Sequence, residues 1–234
     1  MTIKAILFDK DGTLIDVNRT WIPLYRDLLS REFSVSHDEA DLLLAKAGYD
    51  KASDSFMAGS VLAGGTTRQL VGIWWPHLDD TQCAAKAYHI DHHYAPLARE
   101  YLKPLMELAP VFQALRDLGL RLGVATNDSA FSATGQMQKL QVDHYFETII
   151  GADTVEVPKP SGQMIAHFAQ LVGLHPSEIA MVGDNIHDLE EAKNGGAGLG
   201  IGVLTGNAKL HHIEDVADHV FDSIAELPAF FRAQ

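Results

Sequence analysis

The chain has 234 residues, 47% of them hydrophobic and 21% charged, and its 31 Asp and Glu against 18 Lys and Arg give a formal net charge of −13. That length buries one sizeable core with room for a smaller insertion, and the acidic balance argues against a nucleic-acid partner, which calls for clustered Lys and Arg. No apolar run reaches membrane-spanning length and the N-terminus lacks the basic start of a secretion signal, so no membrane partner is expected; the single cysteine, Cys83, permits no intrachain disulfide and fits a reducing, cytoplasmic setting.

Taken in order, the apolar run Ala5, Ile6, Leu7 leads into Phe8, Asp9, Lys10, Asp11, Gly12, Thr13, Leu14. An apolar run that stops abruptly in charge and glycine predicts a buried parallel strand delivering its C-terminal end to solvent. Strand side chains repeat every second residue, which places Asp9 and Asp11 on one side and sends Lys10 elsewhere. Taken alone, Asp11-Gly12 reads equally well as a turn.

From about residue 18 to residue 101 the pattern turns helical. Trp21, Tyr25, Leu28 and Leu29 recur at helical spacing, Ser36 with Glu39 and Thr66 with Gln69 form capping boxes, and a further helix is expected over about 80–94. No strand pattern is visible here, so residues 18–101 are expected to form a helical insertion, with 1–17 and 102–234 making the main domain.

Beyond Ala109 helix and strand alternate. Pro110 opens a helix that Gly119 stops, and strands are expected at Leu120–Ala125, near Thr148–Ile150, at Ile179–Val182, near Leu199–Val203 and near His219–Phe221, with helices at about 129–140 and 161–171, a helical turn through Ala192 and a helix after the last strand. Such alternation implies an α/β fold with a doubly wound parallel sheet, helices on both faces and right-handed crossovers. Ligands in these sheets bind beyond the carboxyl ends of the strands. Asp9 and Asp11, Thr126 and Asn127, and Asp184 and Asp188 should therefore converge on one rim, with Lys159 supplied from the Val157–Pro160 loop.

Asp9, Lys10, Asp11, Gly12, Thr13, then Thr126, then Lys159, then Gly183, Asp184, Asn185 with Asp188 resemble, in order, the four motifs of the haloacid dehalogenase-like hydrolase superfamily, in its phosphatase branch. The resemblance implies a Rossmann-like core with a helical cap inserted where residues 18–101 fall, and it is closest to phosphoglycolate phosphatase-like proteins. It further implies a magnesium-dependent hydrolysis of a small phosphorylated metabolite, with 2-phosphoglycolate the best single substrate. Asp9 would be the nucleophile, Asp11 the general acid and base, and Mg2+ would be held by the Asp9 carboxylate, the Asp11 backbone carbonyl and Asp184. Thr126, the Asn127 backbone amide and Lys159 would contact the phosphoryl group, and Asp188 would orient Lys159 or a metal-bound water. A helix N-cap is the alternative for Asn127, and a solvated helix acid for Asp188.

A phosphomutase that passes the phosphoryl group to a sugar, and a non-catalytic binding or scaffold protein on the same fold, are the competing readings. Pro160 is followed by Ser161 and Gly162 where many relatives have a second proline, so the loop shape is less defined than the lysine's role. The glycine run Gly195–Gly200 departs from a dinucleotide fingerprint and reads as a turn into a packed strand. His89, His92 and His93 are expected on a solvated helix face, and Cys83, Trp74 and Trp75 in the packing of the insertion. Arg19, Arg26, Lys46, Lys51 and Arg68 are candidates to meet a second anionic group of the substrate, and the Ala58–Gly65 stretch is a candidate specificity loop.

Overall fold

The computed structural model describes residues 2–233. Eight strands occur among them: β1 (Ala5–Phe8), β2 (Tyr49–Asp50), β3 (Ser55–Phe56), β4 (Arg121–Ala125), β5 (Ile149–Ile150), β6 (Ile179–Gly183), β7 (Leu199–Val203) and β8 (His219–Phe221). Six form one parallel sheet in the order β5-β4-β1-β6-β7-β8, which is the α/β doubly wound architecture expected. Each crossover except the first is a short helical connection. The first carries the segment from Val17 to Tyr101, whose two ends run side by side, Asp16 N–H donating to Lys103 C=O at 2.8 Å and Leu105 N–H to Leu14 C=O at 3.1 Å.

The period-two rule sorts the core around β1. Ile6 and Phe8 pack with Phe112 and Leu115 of the helix Leu108–Asp117, while Ala5 and Leu7 pack on the other face with Ile165 and Phe168 of the helix Gln163–Val172. The inserted segment has its own core, in which Leu28, Leu44, Phe56, Trp74, Trp75 and Cys83 are buried together. Its capping boxes at Ser36 and Thr66 form as expected, and Asp79 makes a third ahead of the helix Asp80–His93.

One element departs from the sequence reading. The insertion contains the antiparallel hairpin of β2 and β3, pairing Tyr49 with Phe56 and Asp50 with Ser55. Strands of two residues are too short to show alternation, so no strand pattern was there to see.

The register of the large sheet sets the site. Phe8 lies level with Val124 of β4 and with Val182 of β6. The residues just after these three strand ends therefore emerge side by side where the chain order reverses, between β1 and its neighbours.

Candidate active site

Asp9 leaves β1 with its N–H donating to Val182 C=O at 2.7 Å, which fixes the carboxylate at the strand end beside β6. Lys159 Nζ donates to Asp9 Oδ1 at 2.5 Å, to Asp188 Oδ1 at 2.6 Å and to Ala125 C=O at 3.0 Å. The ammonium thus ties together the ends of β1 and β4 and the first turn of the helix Ile186–Gly195. Asp188 is not a solvated acid: it is 2% exposed, and its second oxygen accepts from Asn185 N–H at 3.0 Å, closing the capping box of that helix.

Asp184 follows β6 and is 3% exposed. The chain wraps it closely. A Cβ on Gly12, where φ is +88°, would fall 2.6 Å from its carboxylate, and one on Gly206 would fall 1.7 Å from Oδ2, so both positions require glycine. Asn207 N–H donates to Asp184 Oδ2 at 3.3 Å. One carboxylate oxygen each from Asp9, Asp184 and Asp188 lies within 4.8 Å of the others, the single such buried group among the described residues.

Three buried carboxylates around one ammonium leave negative charge uncompensated. Burial pushes the Asp9 carboxyl up to about 7, Asp188 adding to the rise and Lys159 opposing it. Burial, then Asp9 and Asp188, hold Asp184 well above the usual carboxylate range. Burial works against charge on Lys159, but Asp188 and Asp9 outweigh it and keep the ammonium above its ordinary value. A set of oxygen donors with excess negative charge fits a hard divalent cation, which would relieve that charge.

This has a measurable consequence for stability. With a folded value of about 7 against an ordinary 3.8, Asp9 keeps a proton that the unfolded chain releases, so its contribution falls as pH rises across that window and stays low above it. Asp184 acts in the same direction. Chelator-treated protein should melt several degrees lower at about pH 8 than at about pH 5.5, and a divalent cation should raise the melting temperature more at the higher pH. A melting temperature that is flat or rising across that range without metal would contradict this account of the cluster.

Asp11 faces the same cleft, its carboxylate held on both oxygens, by Lys10 Nζ at 2.5 Å and by the Trp21 indole N–H. Lys10 turns away from the cleft, as expected, but not away from Asp11. It is fully buried and paired with Asp11 and Asp128, because the extended chain ends at Phe8: the Lys10 carbonyl accepts from Leu14 N–H at 2.9 Å and Ile15 N–H at 3.1 Å, so the backbone has already turned. Trp21, expected only as a helix-face residue, lines the cleft above Asp11.

Thr126 and Asn127 follow β4 and line the same cleft. Asn127 is not the N-cap of the helix Ala130–Lys139; Ser129 is, accepting from Ser132 N–H at 3.2 Å. The Asn127 side chain is a clasp. Its Oδ1 accepts from Lys159 N–H at 3.1 Å, and its Nδ2 donates to Lys159 C=O at 3.2 Å and to Gly64 C=O at 2.7 Å, joining the lysine loop to the inserted segment. Glu191 went unnoticed in the sequence, where it reads as a surface helix acid. It is fully buried and accepts from the N–H groups of Gly162, Met164 and Ile165 at 2.6, 2.8 and 3.2 Å, anchoring the turn that follows Lys159. A carboxylate here satisfies free amides of the helix start.

The cleft holds about 560 Å³, counted out to its open mouth. Its floor carries Asp9, Asp11, Thr126 and Lys159, and its roof is Val17, Trp21, Tyr25, Leu62 and Thr67, with Gly64 and Gly65 from the expected specificity loop. None of the five proposed cations reaches it. Arg26 pairs with Asp41, Asp54 and Tyr49, Lys51 with Asp38 and Asp41, Arg68 with Asp80, and Arg19 with Asp16, while Lys46 is exposed on its helix. Helical spacing alone does not say which exposed face looks toward the core. His89 and His93 are exposed and stack on each other, and His92 lies against Phe131, so the three histidines form no ligand set.

Comparison with known proteins gives the family. The sequence pattern of the haloacid dehalogenase-like hydrolases matches residues 3–196, and the chain belongs to that family. It is 27% identical over 235 residues to the phosphoglycolate phosphatase of Salmonella typhimurium, covering 96% of this chain and 91% of that protein. The corresponding enzyme of Shigella boydii is 28% identical over 216 residues, covering 88% and 84%. Among solved structures, a predicted phosphoglycolate phosphatase from Haemophilus somnus superposes with a TM-score of 0.74 at 19% identity, over 98% of both chains, which establishes the shared fold. Within the family the protein is an enzyme of the phosphatase branch. No helix among the described residues is long and apolar enough to cross a membrane.

Proposed function

We propose that the protein is a magnesium-dependent phosphatase that hydrolyses a small phosphomonoester through a phosphorylated Asp9, with 2-phosphoglycolate as the substrate. The observation that supports it most is the bridge of Lys159 between Asp9 and Asp188, with Asp11 facing the same cleft. Asp9 and Asp184, with the Asp11 carbonyl, would hold the cation, and its chemistry there is to neutralise charge on the phosphoryl oxygens and on Asp9.

A phosphate ester is an anion, so a carboxylate attacks it only where the repulsion is offset. Lys159 supplies a fixed positive charge beside Asp9. The free Asp9 oxygen attacks phosphorus, the bond from phosphorus to the ester oxygen breaks, and Asp11 gives its proton to that oxygen as the alcohol leaves. Asp11, now a carboxylate, takes a proton from water as that water attacks phosphorus. The bond from phosphorus to Asp9 then breaks, releasing inorganic phosphate and restoring both aspartates. Thr126 and the Asn127 amide line the position of the phosphoryl oxygens. We take the segment 18–101 to act as a cap, since Trp21, Leu62 and Gly64 roof the cleft and exclude bulk water during transfer.

The 2-phosphoglycolate assignment draws on the relatives. The substrate carboxylate would be met by His187, which lines the cleft with its Nδ1 3.0 Å from Asn185 Oδ1; the Gly64 and Gly65 N–H groups already donate to Ser60 and Val61 C=O. Phosphate release from a panel of small phosphomonoesters, with and without magnesium, tests both levels. The highest kcat/KM on 2-phosphoglycolate supports the full reading, a better substrate elsewhere in the panel overturns the substrate, and no magnesium-dependent release overturns the proposal.

A further inference from the structure

The reaction as proposed leaves Lys10 without a task, although it is completely buried. Its Nζ donates to Asp11 Oδ2 at 2.5 Å and to Gln136 Oε1 at 2.9 Å, and lies 3.2 Å from Asp128 Oδ2. The ammonium also sits 5.1 Å from the centroid of the Trp21 ring. Gln136 is itself held, its Nε2 donating to Ser132 Oγ at 3.1 Å, and both residues are fully buried on the helix Ala130–Lys139. Burial disfavours charge on Lys10, but Asp11 and Asp128 outweigh it, so the group stays an ammonium.

A proton donor serves a leaving oxygen only while it is held within hydrogen-bond reach, and an aspartate side chain rotates freely unless its neighbours fix it. An ammonium anchored on a second carboxylate and a buried amide is such a fixture. Lys10 is therefore placed to hold one oxygen of Asp11 from the core side, on a helix and loop that do not belong to the inserted segment.

We propose that Lys10 is a positioning residue for proton transfer: anchored by Asp128 and Gln136, it fixes the Asp11 carboxyl group in the orientation from which it protonates the leaving-group oxygen. The inference rests on the reading of Asp11 as proton donor. A lysine that served only packing or charge balance would lower activity on every ester alike. A lysine that aligns the acid matters most where the leaving group needs a proton.

The test compares kcat/KM for an alkyl phosphomonoester, whose alkoxide must be protonated, with that for nitrophenyl phosphate, whose phenolate departs unaided. Asp11→Asn should lose far more on the alkyl ester, and Lys10→Met, uncharged and similar in shape, should reproduce that selectivity, falling about 10- to 100-fold on the alkyl ester but only about threefold on the nitrophenyl ester. Equal loss on both esters for Lys10→Met, beside a selective loss for Asp11→Asn, overturns the inference alone. Equal loss for Asp11→Asn overturns the parent reading of Asp11 and the inference with it. If thermal melting shows that Lys10→Met does not fold, Gln136→Met decides, because it loosens the lysine without leaving a buried charge alone: a selective loss on the alkyl ester supports the role, and a uniform loss or none overturns it.

Discussion

Asp9→Asn should abolish turnover, with kcat/KM falling by roughly four to six orders of magnitude, the scale on which losing a covalent nucleophile is felt. The amide keeps the shape of the side chain and cannot attack phosphorus. The same substitution removes one of three buried acids from the cluster, while Lys159 retains Asp188 and the Ala125 carbonyl as acceptors. The variant should therefore remain folded, and without metal at about pH 8 it should melt above the wild type, since the charge that Asp9 is reluctant to carry is gone. Inactivity joined to higher metal-free stability separates loss of chemistry from loss of fold. Substantial residual turnover in purified Asp9→Asn would remove Asp9 from the nucleophile's role.

Lys159→Met should have the second largest effect, and on both activity and stability. Among the described residues its ammonium is the one cation in direct contact with Asp9 and Asp188, and all three side chains are almost wholly buried. Removing one partner from a buried ionic group leaves the others uncompensated, at a cost of about 3–5 kcal/mol. Because the carboxylates can take up protons instead, the loss should be greatest at about pH 8 and shrink toward about pH 5.5. Activity should fall about 100- to 1000-fold at saturating magnesium, the range for removing one preorganised charge from a transition state. Melting curves over pH and initial rates check the two arms, and a variant within threefold of wild type in rate with unchanged melting would show that Lys159 has neither role.

What the sequence made legible follows from where each signal is local. β6 and β7 fall where expected because apolar runs between turn residues mark buried strands without any tertiary information. The capping boxes at Ser36 and Thr66 are equally local. The gathering of Asp9, Asp11, Thr126, Lys159, Asp184 and Asp188 was readable for a different reason: parallel strands in register bring every strand end to one rim.

The residues that were misread depend on contacts distant in sequence. Lys10 follows the strand by two positions, where alternation no longer applies, and its partners Asp128 and Gln136 lie more than a hundred residues away. Glu191 looks like any helix acid until the helix Gln163–Val172 is placed over it. The cations of the insertion were plausible substrate contacts by charge alone, but local acids claim four of them, and the roof of the cleft is made instead by Trp21, Leu62 and the Gly64–Gly65 turn.

The central claim is that hydrolysis proceeds in two displacements at phosphorus, the first by Asp9 and the second by water. Each in-line displacement inverts the phosphoryl group, so the most direct measurement is the configuration of the inorganic thiophosphate released, in water enriched in a third oxygen isotope, from a phosphorothioate ester made chiral at phosphorus by sulfur and two oxygen isotopes. The account predicts net retention; net inversion would mean that water attacks the ester directly and that Asp9 is never phosphorylated.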